Sequence, residues 1–188
     1  MYNKEYKGDI CSHDHSFFLD NFLRRLIQNP KKVVGEYIKE GDTVIDLGCG
    51  PGYFSIDMAK MVGKSGRVIS VDLQPEMLEK VEKKAEKQCL SQRVTLHNCP
   101  QDQIGLNPDV TADFVLVFYM LHETPSHIKF MQEVKTFLRK GGKCLIVEPR
   151  FHVSKKYFHQ MIRDIKNIGF NVLDTPSKKG GRSLLVSV

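Results

Sequence analysis

A doubly wound α/β fold with a seven-stranded, mostly parallel sheet is the class this sequence predicts, and three observations carry the prediction. Short β-branched runs alternate with amphipathic helical stretches from Thr43 onward, the pattern of repeated strand–helix units. A glycine-rich turn, Gly48–Gly52, directly follows the first of those runs. The last two strand runs are separated by about seven residues, too few for the crossover helix that parallel neighbours need. The sheet should therefore carry one antiparallel strand near the C-terminus, with helices on both faces.

The elements follow in order. Thr43–Leu47 (TVIDL) is the first strand, and a helix over about Tyr53–Val62 comes after the glycine turn. A second turn, Gly63–Gly66, leads into the strand Arg67–Asp72, which ends in an acid. Pro75 suits the first turn of the next helix, whose Met77, Leu78, Val81 and Ala85 recur at helical spacing. A short strand Arg93–His97 and a loop through Pro100 and Pro108 follow. Asp113–Leu121 is almost continuously apolar, as a strand covered on both faces would be. Thr124 is the expected N-cap of the next helix, with Pro125 at its first position. Ile128, Met131, Val134, Phe137 and Leu138 give its apolar stripe, Arg139 and Lys140 suit its C-terminal dipole, and Gly141 is the expected stop. The strand Lys143–Glu148 is next. Ser154 is the expected cap of the last helix, which carries Tyr157, Phe158, Met161, Ile162, Ile165 and Ile168 on one face and ends at Gly169. Strands Phe170–Thr175 and Ser183–Val188 close the chain.

Before Thr43, Phe17, Phe18, Phe22, Leu23, Leu26 and Ile27 form one helical pattern that ends near Asn29-Pro30. Val33, Val34, Tyr37 and Ile38 form another. Residues 1–42 are expected to be a helical appendage packed over the sheet, with residues 43–188 as the domain proper.

Length and composition permit one globular domain. The chain has 188 residues, 41% hydrophobic and 27% charged, which is ordinary for a folded protein and excludes disorder. The net charge of +6 is spread over mixed-sign runs such as Glu79–Gln88, a solvated helix face rather than a phosphate-binding patch. Lys178, Lys179 and Arg182 flank Gly180-Gly181 and read as an exposed turn. Five cysteines without a CxxC pair support neither a disulfide framework nor a zinc site. No apolar run approaches the roughly 18 residues of a membrane span, and no secretory segment follows Met1. A cytoplasmic location is expected. The segment Cys11–His15 (CSHDH) invites a metal, but it has no second ligand cluster. No metal is assigned to it, and its expected role is a lid over the substrate.

The chemistry concentrates in Val44–Gly52 (VIDLGCGPG). Asp46 lies near the end of the first strand, and Gly48, Gly50 and Gly52 recur at every second position. Glycines let the backbone turn sharply and approach a ligand closely, and the next helix offers unpaired N–H groups. Asp72 ends the second strand 20 residues after Gly52, about where a ribose-binding carboxylate sits in dinucleotide folds. The spacing is GxGxG rather than GxGxxG, and an acid precedes the first glycine. A carboxylate there suits a ligand with an ammonium group better than a pyrophosphate.

These residues, together with SVDLQPEML (Ser70–Leu78), DFVLVFYMLHE (Asp113–Glu123) and LRKGGKCLIVEP (Leu138–Pro149), resemble the ordered motifs of class I S-adenosylmethionine-dependent methyltransferases. The resemblance covers about residues 33–188 and is nearest to the small stand-alone, quinone-biosynthesis-like group. It implies a Rossmann-like fold with S-adenosyl-L-methionine as cofactor. It further implies that Asp46, Gly48, Cys49, Gly50, Gly52 and Tyr53 surround the methionine part. Asp72 would bind the ribose hydroxyls, Leu73 and Met77 would touch the adenine, and Phe118 and Tyr119 would border the sulfonium. The acid usual for the adenine amino group is missing at Cys99-Pro100, so Pro100, Gln101 and Asp102 share that assignment.

The implied reaction is in-line methyl transfer to a small-molecule acceptor. His122 and Glu123 are the candidate bases; the competing reading has His122 only covering the cofactor. RNA or protein as acceptor, a non-catalytic S-adenosylmethionine-binding protein, and a nicotinamide oxidoreductase are the alternatives. Nucleic acid is not favoured, because FYML replaces the Asp/Asn-Pro-Pro-aromatic motif of amino-methylating enzymes. A homodimer is compatible with the sequence, which leaves the oligomeric state open.

Overall fold

The computed structural model describes residues 28–177 and 181–188. The helical pattern Phe17–Ile27 and the CSHDH segment lie outside the described residues, as do Lys178, Lys179 and Gly180.

The element order is α1 (Pro30–Val34), β1 (Thr43–Leu47), α2 (Ser55–Met61), β2 (Arg67–Asp72), α3 (Pro75–Lys87), β3 (Val94–Asn98) and β4 (Ala112–Phe118). It continues through α4 (His127–Phe137), β5 (Leu138–Pro149), α5 (Lys155–Asn167), β6 (Asn171–Asp174) and β7 (Gly181–Ser187). The sheet runs β3-β2-β1-β4-β5-β7-β6. β1 pairs parallel with β2 and β4, whereas β7 runs antiparallel to both β5 and β6. The reversed strand thus lies between its two neighbours, as the short connection requires.

Period-two alternation divides the core. Val44, Phe114, Leu116 and Leu145 belong to one cluster together with residues of α1, α2 and α3. Ile45, Val115, Val117 and Ile146 belong to a second cluster with residues of α4 and α5. β4 is covered on both sides, which is why its sequence is apolar throughout.

Several boundaries differ from the sequence reading, three of them around β4 and α4. β4 stops at Phe118 rather than Leu121, because Tyr119 takes a left-handed backbone with φ +60° and a short 3-10 turn, Leu121–Glu123, follows. Ser126, not Thr124, caps α4: its extended backbone lets Oγ accept from Lys129 N at 3.3 Å, while Thr124 Oγ1 donates to Leu121 O at 2.7 Å. α4 has no glycine stop. Its C-cap is Leu138, where β5 already begins, and Arg139 ion-pairs with Asp113 instead of serving the helix dipole. Ser154 caps α5 as expected, accepting from Tyr157 N at 3.2 Å. No described helix is long and apolar enough to cross a membrane.

The strand order reverses between β1 and β4. In an open α/β sheet the crevice at the carboxyl ends of such a pair is where ligands bind.

Candidate functional site

A cavity of about 620 Å³ occupies that crevice, a size typical of small-molecule sites. The turn after β1 forms its floor. Gly48 N and Cys49 N both donate to Val71 O, at 2.9 and 3.0 Å, and Lys84 Nζ donates to Pro51 O at 2.8 Å. Gly50 N donates to Asp72 Oδ2 at 2.7 Å. The turn is therefore tied to β2 and α3 before any ligand arrives. Gly48, Gly50 and Gly52 all have positive φ. A side chain at Gly50 would stand in open space with nothing within 4 Å, whereas one at Gly52 would come within 3.0 Å of Val81. Gly50 lines the cavity and Gly52 does not; Gly52 shapes the turn from behind.

Two buried carboxylates border this floor. Asp46 is 2% exposed, and its Oδ2 accepts from Ser55 Oγ at 2.5 Å. Asp72 is 8% exposed, and its Oδ1 accepts from Gln74 N at 3.0 Å. Burial pushes the Asp72 carboxyl above its ordinary range, and the N–H groups of Gln74, Gly50 and Leu73 oppose that rise. Cys49, Tyr53, Leu73 and Met77 line the same region.

Beyond β3, Cys99, Pro100, Gln101, Gln103 and Ile104 form the next wall. Cys99 N donates to Asp72 O at 3.1 Å, and Asn98 Nδ2 donates to Asp72 O and Leu73 O at 3.0 and 2.9 Å. Burial pushes the Cys99 thiol up to about 11, so it stays protonated at neutral pH. The Glu133 carboxylate of α4 accepts from Ile104 N and Gly105 N, both at 2.8 Å. Asp102 is exposed and lies off the cavity wall. Pro100 and Gln101 line it.

The opposite wall comes from the ends of β4 and β5. Phe118 lies 4.5 Å from Phe54 and 4.2 Å from Tyr119, ring centroid to centroid. Tyr119 Oη accepts from Gln28 Nε2 at 2.9 Å, and Tyr53 Oη donates to Gln28 O at 2.9 Å. Next to them His122 Nδ1 lies 2.5 Å from Glu148 Oε2, while Glu148 Oε1 accepts from Leu121 N at 3.1 Å. Glu148 is 0% exposed. Burial works against charge on His122, but the Glu148 hydrogen bond and the charges of Glu148 and Glu123 outweigh it and raise the imidazole above its ordinary value. Burial also raises Glu123, against the pull of His122.

Of the residues singled out from sequence, the structure gathers Asp46, Gly48, Cys49, Gly50, Tyr53, Asp72, Leu73, Met77, Pro100, Gln101, Phe118, Tyr119, His122 and Glu123 around one space. Sequence reasoning missed Gln28, Glu133 and Glu148. Glu148 carried a usable signal, an acid at the end of an apolar strand run, the same one that singled out Asp46 and Asp72. Gln28 and Glu133 carried none, since each acts through a partner distant in the chain. Chemically, the cavity brings together carboxylates, a glycine turn, aromatic side chains and His122, which Glu148 holds from behind.

Residues 38–179 match the family model described as a methyltransferase domain. The demethylmenaquinone methyltransferase of Lactobacillus johnsonii is 31% identical over 144 residues, covering 73% of this chain and 59% of that protein. The Bacillus subtilis protein of the same name is 29% identical over 111 residues, 59% of this chain and 47% of its own. The chain thus spans about half to three-fifths of the length of these relatives. A crystal structure of an S-adenosylmethionine-dependent methyltransferase from Aquifex aeolicus superposes with a TM-score of 0.81 at 26% identity, covering 93% of this chain and 96% of that one. An S-adenosylmethionine-dependent O-methyltransferase from Thermotoga maritima shares the fold, with a TM-score of 0.66 at 19% identity over 85% of this chain and 64% of that one.

Proposed function

The chain belongs to the class I S-adenosylmethionine-dependent methyltransferases, and on that premise we propose that it methylates a small aromatic acceptor of the hydroquinone type. One observation carries the reading: a single cavity joins the glycine turn, two buried carboxylates, an aromatic wall and His122, which Glu148 holds from behind.

The residues present fit the cofactor of this family. The open space at Gly50 is a cradle that any side chain would fill, so a ligand can approach the backbone there. Asp72 has lone pairs left after its bonds to Gly50 and Gln74 and would accept from the ribose hydroxyls. Leu73 and Met77 would flank the adenine, with Pro100 and Gln101 at its edge. Asp46 would act through its negative charge on the ammonium group, since one of its oxygens already holds Ser55. Phe118 and Tyr119 would border the sulfonium, since aromatic rings attract a cationic centre. When bound, the cofactor supplies an electrophilic methyl group and a neutral thioether as leaving group. The protein contributes orientation, and holding two reactants at attack distance can remove about 7–11 kcal/mol from a barrier.

Phe130, Phe151, His152 and Thr124 also line the cavity and would bound the acceptor. A planar, apolar ring fits such a wall, and the two relatives named above take demethylmenaquinone as their substrate by name.

Calorimetry with S-adenosylmethionine, S-adenosylhomocysteine and NAD tests the cofactor, and transfer of a labelled methyl group to naphthalene-1,4-diol tests the acceptor. The expected result is binding of the two sulfur nucleosides without NAD, and label in the diol. Affinity for NAD alone would refute the cofactor; an unlabelled diol would refute the acceptor class.

A further inference from the structure

Resting on that reading of the cavity, we propose that His122 and Glu148 form a proton-accepting pair. Glu148 holds the imidazole through Nδ1–H, and Nε2 takes a proton from the acceptor as the methyl group arrives. The acceptor is then a weak acid, such as a phenol or hydroquinone, and not a tertiary amine or a thioether.

The geometry sets the tautomer. Glu148 lies inside the core at the end of β5, with Oε1 taken by Leu121 N at 3.1 Å and Oε2 by His122 Nδ1 at 2.5 Å. An ionised carboxylate only accepts, so Nδ1 carries the hydrogen and, in the neutral ring, Nε2 keeps its lone pair. Nε2 stands 3.9 Å from Glu123 Oε1, too far for a hydrogen bond, and this lone pair is available at the cavity wall. The Glu123 side chain is 37% exposed and gives the proton a route to water.

The turn that carries His122 follows Tyr119, whose φ of +60° is costly for a tyrosine. Strain of this kind persists where the surroundings hold it and clusters at functional sites. Gln28 on the Tyr119 hydroxyl, Val147 O on Tyr119 N and Glu148 on Leu121 N are among the holding contacts. Glu148 does not reach the cavity lining; it is a positioning residue acting through His122.

The step balances. The acceptor proton goes to His122 Nε2, and the electron pair left behind forms the new bond to the methyl carbon. The carbon–sulfur bond breaks with its pair on sulfur, leaving S-adenosylhomocysteine, and the imidazolium then loses its proton to water. The charged or titratable groups that face the ring are Glu148 from β5, Glu123 from its own turn and His152 from the loop before α5. Tyr157 on α5 and Asp72 act at longer range, on Glu148 and Glu123 respectively.

The test uses the full chain with 15N-labelled histidine, the His122 signals being assigned by their loss in His122→Gln. In the wild type, the nitrogen shifts should show Nδ1–H with Nε2 bare once the ring is neutral. Glu148→Gln should turn the tautomer over and move the His122 titration to lower pH. Its affinity for S-adenosylmethionine should stay within about twofold, and kcat/KM on naphthalene-1,4-diol should fall on the order of 10²–10⁴-fold. Because the neutral ring is the active form, the acid limb of the wild-type profile should lie above that of Glu148→Gln. A wild-type ring protonated at Nε2 when neutral, or undiminished kcat/KM in Glu148→Gln, would overturn the pair. If wild-type protein leaves the diol unmethylated, the hydroquinone-type acceptor fails, and the tautomer and titration still decide the pair.

Discussion

Gly50 and Gly52 sit two positions apart in one turn and answer to different demands. Both have positive φ, so alanine at either costs about 1–2 kcal/mol of backbone strain. At Gly52 the new methyl would also press on Val81 at 3.0 Å, adding about 1–3 kcal/mol of overpacking. At Gly50 it would meet only the cavity. We expect Gly52→Ala to unfold at markedly lower urea than Gly50→Ala. Calorimetry should show Gly50→Ala losing at least about tenfold in S-adenosylmethionine affinity, about 1.4 kcal/mol. Wild-type affinity in Gly50→Ala would mean that the ligand does not approach the turn there. At this scale the sequence was informative wherever a residue acts through its own backbone position, as the glycines and the strand-end acids do. It was silent on Gln28 and Glu133, whose roles exist only once another segment is brought beside them.

Among the elements, strands and helix interiors were legible because burial imposes a repeat on the sequence. β1 and β2 fall at the expected residues, and the α5 stripe is buried at Phe158, Met161 and Ile165. Boundaries were less legible, since a boundary is settled by competition between neighbouring residues. Thr124-Pro125 has the composition of a helix start, but Thr124 Oγ1 donates within the 3-10 turn and the cap passes to Ser126. Lys140 and Gly141 resemble a helix end, yet Leu138 pairs with Ala112 and the strand begins there. The α5 cap is the case where local chemistry sufficed. Ser154→Ala removes the acceptor for Tyr157 N and should lower stability by about 1 kcal/mol, measured by urea denaturation. An unchanged midpoint would show that α5 is held by its packing alone.

Over the whole molecule, the site draws on both directions of the sheet. β1 and β2 supply two carboxylates and the glycine turn and β3 leads into the Cys99–Gln101 wall, while β4 and β5 supply the aromatic wall and the His122–Glu148 pair. A ligand that bridges the two halves should stabilise the entire fold. S-adenosylhomocysteine at 100 times its Kd should add about 2.7 kcal/mol to the unfolding free energy, seen as a single shifted thermal transition. An unchanged transition at saturation would contradict a ligand that bridges the two halves.

The sequence by itself determined the order of strands and helices, the reversed strand and the residues of the glycine turn, because these follow from periodicity, connection length and the backbone freedom of glycine. The tertiary structure decided which carboxylate serves which partner. Glu148 and His122 are 26 positions apart in the chain, and only the parallel pairing of β4 with β5 puts one beside the other. A hydrogen bond depends on distance in space, and that distance is set when the sheet closes.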